Sequence, residues 1–340
     1  MGILYIVTGA AGHLGSAVVR ALRARGETVR ALVLPGDAAA ERLPKGTELQ
    51  TGNILDCGSL APLFDAPADA ELRVLHCAGI VSTATKAPPL LHAVNVDGTR
   101  NIIRLCRERN IRRLVHVSSV HAIPYQPDGR EIEEIDRFDP ACIVGPYAKT
   151  NAEATTLVQD AAKSGLDASI VFPSGICGPW DYGSGHVTQL VIDYVRQKLP
   201  MGVKGGFDFV DVRDVADGIL RCADRGRSGE GYILANRYVS VPEMFEIFRR
   251  FTGGAGTRLC VPSWLARAGI PLCALIDRAM KRPPLYNAYS LHTLSANAHY
   301  SHEKARRELG YVVRPFEDTI RDTIDWLRSE GRLEALPAGR

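Results

Sequence analysis

The stretch Ile3-Leu4-Tyr5-Ile6-Val7-Thr8-Gly9-Ala10-Ala11-Gly12-His13-Leu14-Gly15 decides the fold class of this chain. Ile3 to Val7 are five consecutive apolar residues, the pattern of a strand buried on both faces. Leu14, Val18, Ala21 and Leu22 then recur at helical spacing, and Gly26 suits a left-handed cap ending that helix. Thr28 to Leu34 reads as a second strand. Between first strand and helix, Gly9 permits a tight turn, Gly12 lets backbone approach a pyrophosphate, and Gly15 lets helix and strand pack closely. The free N–H groups and dipole of the helix N-terminus suit phosphate. Because a strand precedes and a helix follows, the triplet reads as a dinucleotide-binding turn, with Ala11, His13 and Leu14 beside the ligand.

The residue ending the second strand ordinarily chooses between cofactors, an acid for the ribose hydroxyls of NAD or an Arg for the 2′-phosphate of NADP. Leu34 stands there and is neither, while Asp37 lies further along, so NAD or NADP is left open.

Working outward, strands and helices keep alternating. Gly52 to Asp56 closes a third strand and Val74 to Gly79 forms a fourth. Leu90 to Arg107 is a long helix, Leu114 to Val117 a fifth strand, Pro146 to Ala162 a helix with Pro146 in its first turn, and Ala168 to Phe172 a sixth strand. This alternation predicts an α/β fold, a Rossmann-type doubly wound parallel sheet with a smaller, mostly C-terminal substrate-binding region. Gly175 to Gly185 reads as loop, Phe207 to Ala216 as a strand feeding a helix, and Pro242 to Phe251 and Phe316 to Leu327 as amphipathic helices. The expected division is 1–172 and 207–235 for the NAD(P)-binding domain, and 173–206 and 236–335 for the substrate-binding cap.

Composition narrows the function. The 340 residues are 46% hydrophobic and 23% charged, ordinary for a globular chain long enough for one large domain and a smaller one. A net charge of +3 with no long basic run argues against nucleic acid as a partner. No apolar run approaches the ~18 residues of a membrane span, so no integral membrane segment is expected. The eight cysteines form no Cys-x-x-Cys pair, and His292, His299 and His302 lack a convincing carboxylate or thiolate companion, so no metal site is expected. With no basic n-region or cleavage site before the first strand, a cytoplasmic, reducing location is expected. Val261 to Ile276, followed by Arg278, Lys281 and Arg282, reads mostly as helix packing within the cap. An apolar substrate pocket or a membrane-surface contact is the alternative.

Taken together, these landmarks resemble the extended branch of the short-chain dehydrogenase/reductase superfamily, the NAD-dependent epimerase/dehydratase family, over nearly the whole chain. Gly52-Asn53-Ile54-Leu55-Asp56 resembles its adenine-contacting segment, with Asn53 in place of the usual Asp and Ile54 beside it. His76-Cys77-Ala78-Gly79 is similar to the segment under the nicotinamide ribose, and Asn95 matches the Asn that steadies the sheet near the active site. Val117-Ser118-Ser119 matches the strand end bearing the catalytic Ser, Pro146-Tyr147 the catalytic Tyr, and Phe209 to Ala216 a late structural signature. Phe172-Pro173-Ser174-Gly175 lacks the Arg that precedes Pro in sugar-nucleotide members, which places the chain nearer the dihydroflavonol reductases and 3β-hydroxysteroid dehydrogenases. The resemblance implies Pro173 at the cofactor and Ser174 and Gly175 toward a small-molecule substrate; His121, two residues after Ser119, is a further candidate on that side, and Gly183-Ser184-Gly185-His186, which follows the sixth strand, reads equally as a border of the substrate or as an ordinary connection. It also implies a homodimer face on the helices around 90–107 and 146–162, whose apolar stripes core packing explains equally well.

In such a family, Ser119 holds the substrate oxygen, Tyr147 exchanges a proton with it, and a Lys four residues later shares the Tyr's helix face. That cation lowers the phenol's pKa toward the working pH. Here the fourth residue is Asn151, and Lys149, two positions on, faces nearly the opposite way. Asn151 can hydrogen-bond the ribose but carries no charge. Three readings follow: an NAD(P)-dependent oxidoreductase on a mostly apolar carbonyl/alcohol pair with altered proton transfer, in which His121 is a candidate donor; a nucleotide-sugar epimerase or dehydratase; and an NAD(P)-binding protein with little or no turnover. Ser118 is expected to hydrogen-bond backbone at the strand end.

Overall fold

The computed structural model describes residues 2–333 apart from 68, 85–86, 127–128, 200, 254–256, 258, 263 and 267–287. Strands β1 (Ile3–Thr8), β2 (Thr28–Val33), β3 (Glu48–Thr51), β4 (Glu71–His76), β5 (Arg113–Val117) and β6 (Ala168–Pro173) belong to the main sheet. Strands β7 (Gly175–Cys177), β8 (Gly202–Val203), β9 (Gly206–Asp211), β10 (Gly231–Leu234), β11 (Arg237–Ser240) and β12 (Cys260–Val261) follow. The seven-stranded sheet runs β10-β6-β5-β4-β1-β2-β3 and every pairing in it is parallel.

Alternation along β1 sends Leu4 and Ile6 to one face and Tyr5 and Val7 to the other, and each face carries its own core. On the first face Ile102, Leu105, Ala148, Ala152 and Val158 of the helices Thr99–Glu108 and Pro146–Lys163 pack down. On the second, Val18, Val19 and Leu22 of His13–Ala24 meet Val215, Ile219 and Leu220 of Val212–Arg225. The sheet is doubly wound, as its apolar strands require. The apolar stripes of Thr99–Glu108 and Pro146–Lys163 thus lie in the core, and Arg100, Arg104, Arg107, Lys149 and Lys163 occupy exposed positions.

A third core joins the helices His186–Val195, Val241–Thr252 and Phe316–Ser329. Beside it lies the small sheet β11-β9-β7. The chain runs outward from β1 through β2 to β3, then returns to place β4 on the other side of β1. That reversal opens a crevice at the C-terminal ends of β1 and β4, the position where open parallel sheets bind ligands.

Three expectations change. The third strand ends at Thr51, and Asn53 to Asp56 turn instead: the Asn53 side chain accepts from the Leu55 N–H at 3.0 Å and the Asp56 N–H donates to the Asn53 carbonyl at 2.8 Å. The stretch after Ser174 is not all loop, because Gly175–Cys177 pairs in parallel with β9. The long helix before β5 is α-helical at Pro89–His92 and Thr99–Glu108 but π-helical at Ala93–Gly98. Of the segment 261–276 only 261–262 and 264–266 lie within the described residues, as do none of Arg278, Lys281 and Arg282.

Candidate active site

The glycine turn sits at the mouth of the crevice. Gly9 adopts φ +64°, and a Cβ there would come within 2.7 Å of the Ala78 Cα, so a side chain is excluded by both conformation and space. At Gly15 a Cβ would collide with the Gly9 carbonyl. Gly12 caps the helix His13–Ala24 without a side-chain bond, and no acid occupies its first turn. Backbone N–H groups and an uncontested positive helix end therefore face the crevice, a cradle of the kind a pyrophosphate fits. Ala11, Gly12 and His13 line a cavity of about 280 Å³ there, with Asp37, Arg42 and Tyr182 on its other walls. His13 Nε2 lies 3.0 Å from the Pro179 carbonyl, and burial pushes its pKa below the usual value.

Behind the turn runs a buried hydrogen-bonded chain. The Ala78 N–H donates to Thr8 Oγ1 at 3.2 Å, Thr8 Oγ1 lies 2.7 Å from His76 Nδ1, and His76 Nε2 lies 3.1 Å from Thr99 Oγ1. The Thr99 hydroxyl donates to the Asn95 carbonyl at 2.7 Å. Asn95 sits in the π turn. Its Oδ1 accepts from the Ile80 N–H at 2.7 Å, and its Nδ2 donates to the Ile80 carbonyl at 3.0 Å and to Thr150 Oγ1 at 3.1 Å. Thr150 in turn donates to the Tyr147 carbonyl at 2.8 Å. Gly79 abuts the same amide, since a Cβ on it would stand 3.5 Å from Asn95 Oδ1. Cys77 adjoins this set with a thiol that burial pushes up to about 12.

Ser119 follows β5 and caps a short helical turn by accepting from the His121 N–H at 3.2 Å. Tyr147 occupies the first turn of Pro146–Lys163, where Pro146 fixes the helix start and Gly145, at φ +96°, swings the chain into it. The Ser119 hydroxyl and the Asn151 side chain both favour the ionised form of the Tyr147 phenol, but burial outweighs them and the pKa rises. Asn151 Nδ2 also donates to the Tyr147 carbonyl at 2.9 Å. No cation among the described residues offsets the burial, and Lys149 lies exposed on the outer face. The Ser118 hydroxyl pairs with Thr155 Oγ1 at 2.7 Å instead of with backbone, while its N–H completes the sheet to the Val171 carbonyl.

His121 lies against this pair. Its ring meets Tyr147 edge-on at 6.0 Å and stacks on Phe207 at 5.3 Å, and its Nδ1 lies 3.3 Å from the Tyr125 hydroxyl. Burial pulls its pKa to about 4, so the imidazole is neutral near pH 7 and is no source of imidazolium. Tyr289 closes over Gly145, where a Cβ would strike its ring, and Tyr300 packs edge-on to Phe207 at 6.1 Å. Tyr125, Phe207, Tyr289 and Tyr300 were not singled out by sequence. They arrive from separate segments, and no local pattern announces their meeting.

Val117 and Pro173 end neighbouring strands, and Ser174 continues the sheet through its N–H to the Leu234 carbonyl. Gly175 has Asp208 and Phe209 pressed against it. The Asp208 carboxyl accepts from the Asn236 N–H at 3.1 Å and is pushed up to about 7 by burial. His186 is exposed at the start of its helix, and Leu34 is 55% exposed at the rim. Ile54 is buried against Gly98, and Asn53 stays at the surface. His292 and His299 serve as aromatic partners, edge-on to Tyr125 at 5.5 Å and stacked on Tyr238 at 4.6 Å. Among the described residues no group of three His, Cys, Asp or Glu could hold a metal, and no helix is long and apolar enough to cross a membrane.

A parallel sheet with a glycine cradle at its reversal point, and a Ser and a Tyr meeting at the next strand end, define an NAD(P)-dependent oxidoreductase or epimerase of the extended short-chain type. The chain belongs to the NAD dependent epimerase/dehydratase family, whose profile matches residues 5–235. It is 32% identical to sterol demethylase protein B of Methylococcus capsulatus over 332 residues, covering 96% of this chain and 99% of that one. It is 31% identical to the 4-hydroxy-2-methyl-3-oxo-4-farnesyl-3,4-dihydroquinoline-1-oxide ketoreductase of Stigmatella aurantiaca, covering 98% and 97%. The crystal structure of gox2253 superposes with a TM-score of 0.85 at 28% identity, covering 97% of this chain and 99% of that one. Members of the family bind NAD(P) and act on small molecules.

Proposed function

We propose that this protein is an NAD(P)-dependent reductase or dehydrogenase acting on the carbonyl/alcohol pair of a mostly apolar small molecule. Residues 1–172 and 207–235 hold the dinucleotide, and 173–206 and 236–335 hold the substrate. The observation that carries the reading is the Tyr147 phenol, under the influence of Ser119 and in an aromatic setting of His121, Phe207, Tyr289 and Tyr300. Such walls favour a ring system or hydrocarbon over a sugar diphosphate. The names of the relatives, a sterol demethylase component and a farnesyl-quinoline ketoreductase, point the same way. The seven described cysteines are all free, in keeping with a cytoplasmic, reducing location.

The dinucleotide, cradled by Gly9, Gly12 and Gly15 with Ala11, His13 and Leu14, supplies or accepts a hydride when bound. Ser119 holds the substrate oxygen by hydrogen bond. Tyr147, a phenol with a raised pKa and no cation acting on it among the described residues, is a proton donor to that oxygen at neutral pH and a poor base. Neutral His121 contributes an N–H or a lone pair, not a charge.

Asn151 supports a second reading, a dinucleotide-binding protein with little or no turnover. A panel of steroid and polycyclic ketones, assayed with NADH and NADPH, separates the two. Reduction of any member that disappears in Tyr147→Phe supports the enzyme. Tight nucleotide binding with no oxidation of either nucleotide across the panel favours the second reading.

A further inference from the structure

The cavity beside the glycine turn is lined by one arginine, Arg42, with Arg20 bonded behind it. Arg42, from the turn Ala38–Arg42 that follows β2, lies with its Cζ 4.0 Å over the Tyr182 ring. Arg20 lies 5.0 Å over the Trp180 ring, donates from Nη2 to the Arg42 carbonyl at 2.9 Å, and keeps a buried Nε with no partner. Among the described residues neither arginine has a carboxylate within ion-pair distance, although most other arginines of the chain do. A stacked guanidinium leaves its in-plane N–H fork available, and that fork fits a phosphate by two parallel bonds.

Two carboxylates share the cavity and would repel an anion, but both are already engaged. Asp37 Oδ1 accepts from the Ala39 N–H at 2.9 Å and caps its own turn. Asp181 is buried, with Oδ2 accepting from the Gly185 N–H at 2.7 Å. Arg332 holds the Asp181 backbone from behind, its Nη1 donating to the Asp181 carbonyl at 2.8 Å. At the end of β2, where an acid would take the two ribose hydroxyls, the apolar Leu34 offers nothing to them.

We propose that this cavity takes an adenosine 2′-phosphate, and that Arg42 is the residue by which the protein selects NADP(H) over NAD(H). The inference rests on the reading of the glycine turn as the pyrophosphate site. The 2′-phosphate enters between Arg42 and the Asp37–Ala39 turn, and its charge satisfies the guanidinium that now rests on Tyr182. Because Tyr182 belongs to the segment that His13 and Arg20 also hold, the phosphate fixes both sides of the cavity at once.

The test is binding, not turnover. The intact chain is titrated with NADPH and NADH by fluorescence, and with 2′,5′-ADP and 5′-ADP by calorimetry. We expect the 2′-phosphorylated member of each pair to bind at least about tenfold more tightly, the scale of one charge-assisted bond pair. Arg42→Ala should erase that difference while leaving NADH within about twofold, and Arg42→Glu should reverse it. NADH binding as tightly as NADPH, or Arg42→Ala weakening both equally, overturns the proposal. If none of the four ligands binds, the pyrophosphate reading itself falls.

Discussion

His76 donates through Nε2 to Thr99 Oγ1, and this direction is forced. The Thr99 hydroxyl has one proton and gives it to the Asn95 carbonyl, so at 3.1 Å the imidazole must be the donor. Nδ1 then accepts from Thr8, whose own oxygen accepts from the Ala78 N–H. The ring is neutral and of one tautomer, in accord with burial that pulls its pKa to about 4. The chain ties the end of β1 to the π turn, and through Asn95 and Thr150 to the helix bearing Tyr147.

Thr99→Val keeps the shape of the side chain and removes both bonds, leaving a buried imidazole N–H unpaired. We expect a loss of about 1–3 kcal/mol in urea unfolding. A change within error would show that the chain contributes nothing to stability.

His76→Gln removes a titration as well as a ring. The folded-state value, about 4, lies below the 6.5 of a free imidazole, so between these the unfolded chain binds the extra proton. The stability due to neutral His76 is whole above pH 6.5 and is lost as pH falls toward 4, roughly 3 kcal/mol at the low end. The wild type should therefore lose its advantage over the variant across that window. Unfolding energies that decline in parallel would contradict the assignment.

Asn151→Lys restores the cation to the face of Tyr147. Turnover should rise, by about tenfold or more if proton transfer limits it, and the pH optimum should move down. The pH–rate profile of the purified variant decides this. Identical kinetics would mean that the absent charge is not limiting.

Tyr147→Phe should lower kcat by about 100-fold or more with nucleotide affinity changed little, since the phenol faces Ser119 and not the glycine turn. A variant that turns over normally removes Tyr147 from the chemistry.

Gly15→Ala places a methyl against the Gly9 carbonyl, which must move. We expect about 1–3 kcal/mol of destabilisation together with loss of nucleotide binding, read by thermal shift with and without NADPH. Wild-type affinity in that variant would separate the tight packing from the binding site.

The parts legible in the sequence were those set by local rules. The triplet Gly9, Gly12 and Gly15 sits between a run of apolar residues and a helical stripe, and the interval from Ser119 to Tyr147 follows from a family pattern. Asn95 was recognisable, but not the π turn around it, because Val94, Ile102 and Leu105 satisfy helical spacing well enough to hide one added residue. β7 escaped notice because three residues carry no periodicity and the strand exists only where β9 offers an edge. The setting of His121 is assembled from positions 125, 207, 289 and 300, and long-range packing of that kind has no local signature.

The π turn at Ala93–Gly98 carries a consequence for chain length. Deleting a single residue there would let the helix relax to ordinary pitch and rotate everything upstream of the deletion by about 100°. Asn95 would swing away from Ile80 and Thr150, so a shortening of one amino acid would uncouple the end of β1 from the helix bearing Tyr147.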